Sequence, residues 1–139
     1  MATPTQIRAA LAAQINAAIP GLRIVTDAST VVSPPVIIVL PAQGTYINYL
    51  VAEPPGMYDI TIRVVVLVSM ASERAQLPIL DAYLAPSGPS SIPAAILADP
   101  TLGNITDYCI PSEASGPAEI TWSEVAYLGA EITCTAGAE

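Results

Sequence analysis

The stretch "MYDITIRVVVLVS", residues 57–69, decides the fold because it alternates as a β-strand with one buried face does. Every even position from Tyr58 to Val68 is apolar, so we assign that face to a core. The odd positions change along the strand from polar to apolar: Asp59, Thr61, Arg63, Val65 and Leu67. We therefore predict that the second face starts in water and ends under a cover, supplied by a helix of the same subunit or by the flank of a neighbouring one.

The segments before this strand predict an amphipathic helix and two further strands. Apolar residues recur at every fourth position of the helix: Ile7, Leu11, Ile15 and Ile19. Thr3 can cap this helix with Pro4 in its first turn, and Pro20-Gly21 ends it. "LRIVT", residues 22–26, predicts a short strand, and "VIIVL", residues 36–40, has no polar side, as a central strand covered on both faces would.

The long strand continues into "VVVLVSMASERAQLPILDAYL", residues 64–84, a place where many α/β enzymes hold a nucleophile. Ser69 or Ser72 sits where a helix N-cap belongs, and the chain has no histidine or lysine to activate either hydroxyl. We interpret the stretch as a structural corner, so alanine at either serine should cost about 1 kcal/mol and preserve function. Leu77, Leu80 and Leu84 form the apolar stripe of the following helix, which Pro78 either kinks or interrupts.

The remaining third of the chain predicts a linker and two strands. Residues 86–103 are typical of turns around a short helix capped by Ser90 or Ser91, with three residues facing inward: Ile92, Ile96 and Leu97. Two stretches predict one strand each: "NITDYCI", residues 104–110, and "EITWSEVAYLGAEITCT", residues 119–135, the second with a bend or bulge around Ser123 to Val125.

The composition limits the function. The 139 residues fit one domain, and the charged fraction of 12% indicates a subunit whose faces are covered by neighbours. Four arginines, no lysine and no histidine against twelve acidic residues exclude wrapping of nucleic acid, Ser-His or Cys-His catalysis, P-loops and histidine metal sites. Cys109 and Cys134 are too few for a thiolate zinc site, and we expect two free, half-buried thiols. We therefore predict no enzyme, no cofactor and no metal.

The N-terminus lacks the pattern of a signal peptide, since Gln6, Arg8, Gln14 and Asn16 interrupt its apolar residues. The most apolar run, Ile60 to Val68, is about half as long as a membrane helix requires. The sequence therefore predicts a soluble, cytoplasmic protein that does not enter a membrane.

Residues 43–56, "QGTYINYLVAEPPG", predict either an edge hairpin or an arm that reaches a partner. The large side chains of this segment lie where an isolated domain would gain little from them. We expect subunit contacts to draw on this arm and on the outer half of the long strand, through Tyr46, Tyr49, Leu50, Glu53, Arg63, Val65 and Leu67. Two alternative roles are open for Arg63: a contact to an acidic group across a subunit boundary, or a strand position where the arginine faces solvent.

Three stretches resemble the tail terminator proteins of long-tailed phages that infect actinobacteria: "IPGLRI" at 19–24, "SERAQLPILDAYLAPSGPSSIPAAILADPTLG" at 72–103 and "VAYLGAEITC" at 125–134. The resemblance implies a single α+β domain over residues 1–139, with two main helices packed on a mixed or antiparallel sheet. It further implies a hexameric ring that caps the tail tube, ends tube polymerisation and contacts the neck proteins of the head. Such a ring is assembled in the host cytoplasm, resides at the tail–neck junction of the virion, and lets DNA pass through its bore without specific binding.

Two alternatives remain at this stage. Within the same class, the chain is another neck component, such as a head–tail connector or stopper. In a different class, it is an enzyme or small-molecule-binding domain that uses carboxylates alone, although its acidic residues are scattered singly and form no recognisable motif.

Overall fold

The computed structural model describes residues 3–19, 22–26, 35–49, 58–69, 73–122 and 125–138. Within these ranges, three helices and six strands follow one another: α1 (Pro4–Ala18), β1 (Arg23–Val25), β2 (Val36–Pro41), β3 (Ile47–Asn48), β4 (Tyr58–Val68), α2 (Glu73–Leu84), α3 (Ile92–Leu97), β5 (Tyr108–Trp122) and β6 (Val125–Ala138).

The six strands form one mixed sheet in the order β1-β2-β4-β6-β5, with β3 paired to β4. The β1–β2 pair is parallel, and the other pairs are antiparallel. The long strand β4 is therefore the middle strand, and β1 and β5 lie at the two ends. This arrangement confirms the predicted fold class of a small α+β domain with a mixed sheet.

Helix α1 forms as the sequence predicts. Thr3 accepts a hydrogen bond from the backbone of Gln6, whose side chain accepts in return from the Thr3 backbone, and this capping box fixes the first turn. Ile7, Leu11 and Ile15 are fully buried. The apolar stripe of α1 therefore docks the helix on the sheet.

One face of the sheet packs against the helices and forms the larger core cluster. The even positions of β4 from Ile60 to Val68 are buried in it, as predicted. The helices supply the largest fully buried partners: Ile7, Leu11, Ile15, Leu80, Ile92 and Ile96. All five residues from Val36 to Leu40 are buried, which confirms that β2 is covered on both faces.

The second face of the sheet carries a smaller core cluster, made of Val36, Ile38, Leu40, Val65, Leu67 and Tyr127. Ile120 and Trp122 pack against it from the tip of the β5–β6 hairpin. Gly129 makes room for Ile120 and Leu67, because a Cβ there would lie 2.7 Å from Ile120 Cδ1 and 2.8 Å from Leu67 Cδ2. Among the described residues, side chains of the same chain thus pack over this face: Ile120 and Trp122 from the hairpin and Val25 from β1.

The two shorter helical regions agree with the sequence in part. Helix α2 runs without interruption through Pro78, so it does not restart there. Ser91, and not Ser90, caps α3 by accepting a hydrogen bond from the Ala94 backbone at 3.1 Å. The inward placement predicted for Leu97 is wrong: its side chain is 50% exposed at the end of the short helix.

The C-terminal hairpin differs from the sequence prediction. Residues 119–135 belong to two strands and not to one, since β5 runs to Trp122 and β6 begins at Val125. The predicted bend around Ser123 to Val125 falls mostly outside the described residues. Irregular pairing occurs instead within β5, between Pro111 and Glu113 and again between Ser115 and Ala118. Such bulges increase the local twist of a strand pair.

Candidate functional site

The predicted contact residues of β4 are used within the chain. Arg63 donates from Nη1 to Glu131 Oε1 at 3.1 Å and from Nε to the Pro41 carbonyl oxygen at 3.1 Å. Val65 is 2% exposed and Leu67 is fully buried. Their expected role as subunit contacts is therefore wrong, because neither side chain has surface left for a neighbour. Arg63 likewise has an acidic partner on the adjacent strand of its own chain.

The arm residues divide into two groups. Tyr46 packs against the larger core cluster and accepts a hydrogen bond from Arg8 Nη1, with the guanidinium 5.9 Å from its ring centroid. A single domain does gain from this tyrosine, contrary to the sequence argument. Tyr49 is 72% exposed and has a free surface. Leu50 and Glu53 lie outside the described residues.

One end of the sheet, which we call the β5 end, is formed by strand β5 and the groove beside it. From Ser112 to Glu119 all eight residues are exposed, and most are small. A shallow groove of about 220 Å³ runs along this strand on the second face of the sheet, lined by Ser115, Gly116, Ala118, Ile120, Gly129, Ala130 and Glu131. The β5 end is therefore built mainly of small residues, and its charges are acidic: Glu113 and Glu119 are exposed, and Glu131 lines the groove.

The opposite end, which we call the β1 end, consists of β1 and the outer face of α1. A second groove of about 220 Å³ lies between them, lined by Ala12, Ala13, Asn16 and Ile24. The exposed residues of α1 carry no charge: Thr5, Gln6, Ala9, Ala13, Asn16, Ala17 and Ala18. Arg23 projects from β1, is exposed, and forms no ion pair among the described residues.

The two grooved ends differ from an enzyme cleft in their chemistry. Each is open and lined mostly by small or apolar side chains, with few groups that could transfer a proton or attack a substrate. Ser69 is half-buried after β4, and Ser72 lies outside the described residues. In the described parts of the chain no cluster of three or more His, Cys, Asp or Glu side chains is arranged to hold a metal ion.

The two cysteines belong to the core of the fold. Cys109 and Cys134 are free and fully buried, more deeply than the half-burial predicted. Burial raises the pKa of the Cys109 thiol to about 11, and burial together with Cys109 raises the pKa of Cys134. A thiol kept protonated in a core is a poor nucleophile.

Two further polar contacts escaped the sequence analysis because their partners are brought together only by strand pairing or by a loop. Tyr108 donates a hydrogen bond to Asp59 across β6, and burial followed by this bond raises the pKa of Tyr108 to about 12. Asp99 accepts hydrogen bonds from the Thr101 hydroxyl at 2.6 Å and the Gly103 backbone at 3.0 Å, and these bonds lower its pKa. Both carboxylates therefore stabilise local structure.

No protein-family model and no curated protein matches the chain. Within the described residues, no helix has both the length and the apolar content that crossing a membrane requires.

Proposed function

We propose that the chain is a phage tail terminator: a subunit of a hexameric ring that caps the tail tube, ends its polymerisation and joins the tail to the neck proteins of the head. The proposal begins from the resemblance of residues 19–24, 72–103 and 125–134 to that family. These segments include α2, α3 and β6, which share the larger core cluster. The resemblance thus spans elements that pack together and determine the shape of the subunit.

The observation that carries the proposal is the surface at the two ends of the sheet, which is uncharged on α1 and made mainly of small residues on β5. Solvent-facing strands and helices usually carry charged side chains that keep a monomer soluble. Here the described exposed residues of α1 include no charge, and six of the eight exposed residues of β5 from Ser112 to Glu119 are Ser, Ala, Gly or Pro. Charged side chains are depleted at the cores of protein interfaces, so the uncharged surface of α1 suits contact with a neighbouring subunit.

The charge of the chain fits a ring through which DNA moves. The formal charge is −8, with no lysine. Carboxylates on the wall of a bore repel phosphates, so DNA would pass without being held. The proposal accordingly places the protein at the tail–neck junction of the virion, with the tail tube protein and a neck protein as partners.

The proposal assigns the protein no catalytic role. Three carboxylates are engaged in contacts that hold the fold: Asp59 with Tyr108, Asp99 with its loop, and Glu131 with Arg63. A connector or stopper of the neck belongs to the same structural class, and the experiment below separates it from a terminator.

Tail tube assembly with and without the chain tests the proposal. Tube protein is polymerised with its length-determining partners, and the products are imaged by electron microscopy. With the chain present we expect tubes of uniform length that end in a ring; without it we expect over-long tubes with open ends. A stopper would bind heads and leave tube length unchanged. Uncapped tubes of the same length in both samples would refute the terminator function.

A further inference from the structure

The two ends of the sheet are complementary in charge. Arg23 at the β1 end is an exposed cation that forms no ion pair among the described residues. The exposed charges of the β5 end are both acidic, Glu113 and Glu119. The chain has four cations, and two of them contact Tyr46 or Glu131 of the same chain. An exposed arginine at one end of the sheet and acids at the other favour a contact between the two ends.

The register of the sheet selects one of the two acids. Arg23 pairs in register with Val36, and Val36 belongs to the smaller core cluster on the second face. Glu113 lies opposite Thr133, which is aligned with Arg63 on the same face. Glu119 lies opposite Leu128, whose side chain belongs to the larger cluster on the helix-covered face. Arg23 and Glu113 therefore project from the same face of the sheet.

The edge of β5 favours contact through side chains over addition of another strand. Pro111 and Pro117 have no backbone N–H to donate, and two irregularities interrupt the strand between residues 111 and 118. Proline, bulges and charged side chains are the features that prevent edge-to-edge strand pairing. The small residues of the groove beside β5 instead allow a neighbouring surface to approach closely.

We propose that the β1 end of one subunit packs on the β5 end of a second copy of the chain, with Arg23 of the first facing Glu113 of the second. The exposed alanines of α1 lie on the helix-covered face and then pack against small exposed residues of β5 on that face, such as Ala114, which lies opposite Ile132. Such a contact joins two different surfaces, so it repeats from copy to copy, and it forms a ring when the rotation between successive copies closes. The inference rests on the proposed ring function and names the surfaces that build the ring.

Charge-reversal variants of the full chain test the pairing, with assembly followed by sedimentation velocity and by ring density at tube ends. We expect R23E and E113R each to weaken subunit association by about tenfold or more, because each places like charges in contact. The double variant R23E/E113R restores opposite charges and should reassemble. R23E/E119R reverses a charge on the other face and should remain dissociated. D81R, at an exposed position of α2, is the matched control and should assemble as the wild type does.

A bulky variant tests the surfaces apart from the charges. Ala13 is exposed and lines the groove at the β1 end, so a large side chain there should block assembly. Arginine is a good helix former, so A13R should still fold. Circular dichroism checks the folding. Rings that persist in both R23E and A13R would overturn this inference and leave the terminator function intact. If R23E dissociates and the added E113R does not rescue assembly, the pairing of Arg23 with Glu113 is overturned. If the wild type neither forms rings nor caps tubes, both this inference and the proposed function are refuted.

Discussion

Gly137 shows at the scale of one residue how strand pairing creates a contact that needs the absence of a side chain. The Tyr108 ring crosses Gly137 to reach Asp59. A Cβ at this position would lie 2.7 Å from Tyr108 Cζ and 2.9 Å from Asp59 Oδ1. The glycine is required by this crossing, and its backbone φ is not in the left-handed region.

Gly137→Ala should therefore destabilise the protein by about 1–3 kcal/mol, the usual cost of an added group in a packed site. Urea unfolding followed by circular dichroism measures the change. In a Tyr108→Ala background the same substitution should cost much less, because the ring that it displaces is gone. Equal costs in the two backgrounds would show that the crossing does not set the glycine requirement.

The lowered pKa of Asp99 predicts in which direction the stability of the fold changes with pH. Its pKa is lowered from 3.8 by hydrogen bonds from the Thr101 side chain and then from the Gly103 backbone. A carboxylate with a lowered pKa stabilises the folded state above about pH 4, and this contribution disappears as the pH falls through the lowered pKa. Asp99→Asn should flatten the loss of stability below pH 4. Asp81→Asn, at an exposed position of α2, is the matched control, and thermal melts from pH 2 to pH 6 compare them. Identical acid profiles for both variants would contradict the assignment.

At the scale of the element, the start of α3 depends on one of two adjacent serines. Ser91 is buried, accepts from the Ala94 backbone and donates to the Ala85 carbonyl oxygen. Ser91→Ala should cost about 1–2 kcal/mol, since it removes a cap and leaves a carbonyl without its donor. Ser90→Ala, one residue earlier, should stay within about 0.5 kcal/mol of the wild type. Chemical denaturation distinguishes them, and an equal loss from both would mean that the cap is shared.

The elements that could be predicted are those whose pattern is local. The alternation of β4, the apolar run of β2 and the capped stripe of α1 each lie within one segment, and each forms where predicted. Strand β5 was missed over residues 112–118 because its exposed small residues do not alternate and its pairing depends on β6. Helix α3 was placed, yet Leu97 was oriented wrongly because a six-residue helix leaves little pattern to phase.

The candidate site was less predictable than the fold, because its residues meet through pairings distant in sequence. Arg63 contacts Glu131, which is 68 positions away, and no local pattern indicates that partner. Among the described residues, the cluster that contains Val65 and Leu67 is packed against by side chains from the hairpin tip and from β1. The sequence therefore predicted that this face is covered, and only the sheet register shows what covers it.

At the scale of the whole molecule, Trp122 joins the hairpin tip to the second face of the sheet. Its ring packs on the smaller core cluster, and its Nε1 is buried without a hydrogen-bond partner among the described residues. Trp122→Ala should cost about 2–4 kcal/mol through lost packing. Trp122→Phe keeps an aromatic ring and removes the unpaired donor, so its stability should lie within about 1 kcal/mol of the wild type. Val125→Ala, opposite Trp122 on the hairpin and 49% exposed, is the control. Denaturation measured by circular dichroism checks all three, and a large loss in Trp122→Phe would indicate that the indole N–H does have a partner.

The position of β4 in the middle of the sheet has a consequence for how the protein is made. One edge of β4 pairs with β2 and β3, which precede it, and the other pairs with β6, the last strand in chain order. While the ribosome is still synthesising residues before 125, that second edge has no partner, and the valines at positions 64–68 lack part of their cover. Contacts between residues far apart in sequence also form slowly. A nascent chain is thus exposed to aggregation until β6 emerges, and we expect co-translational folding to be completed only when that strand is inserted beside β4.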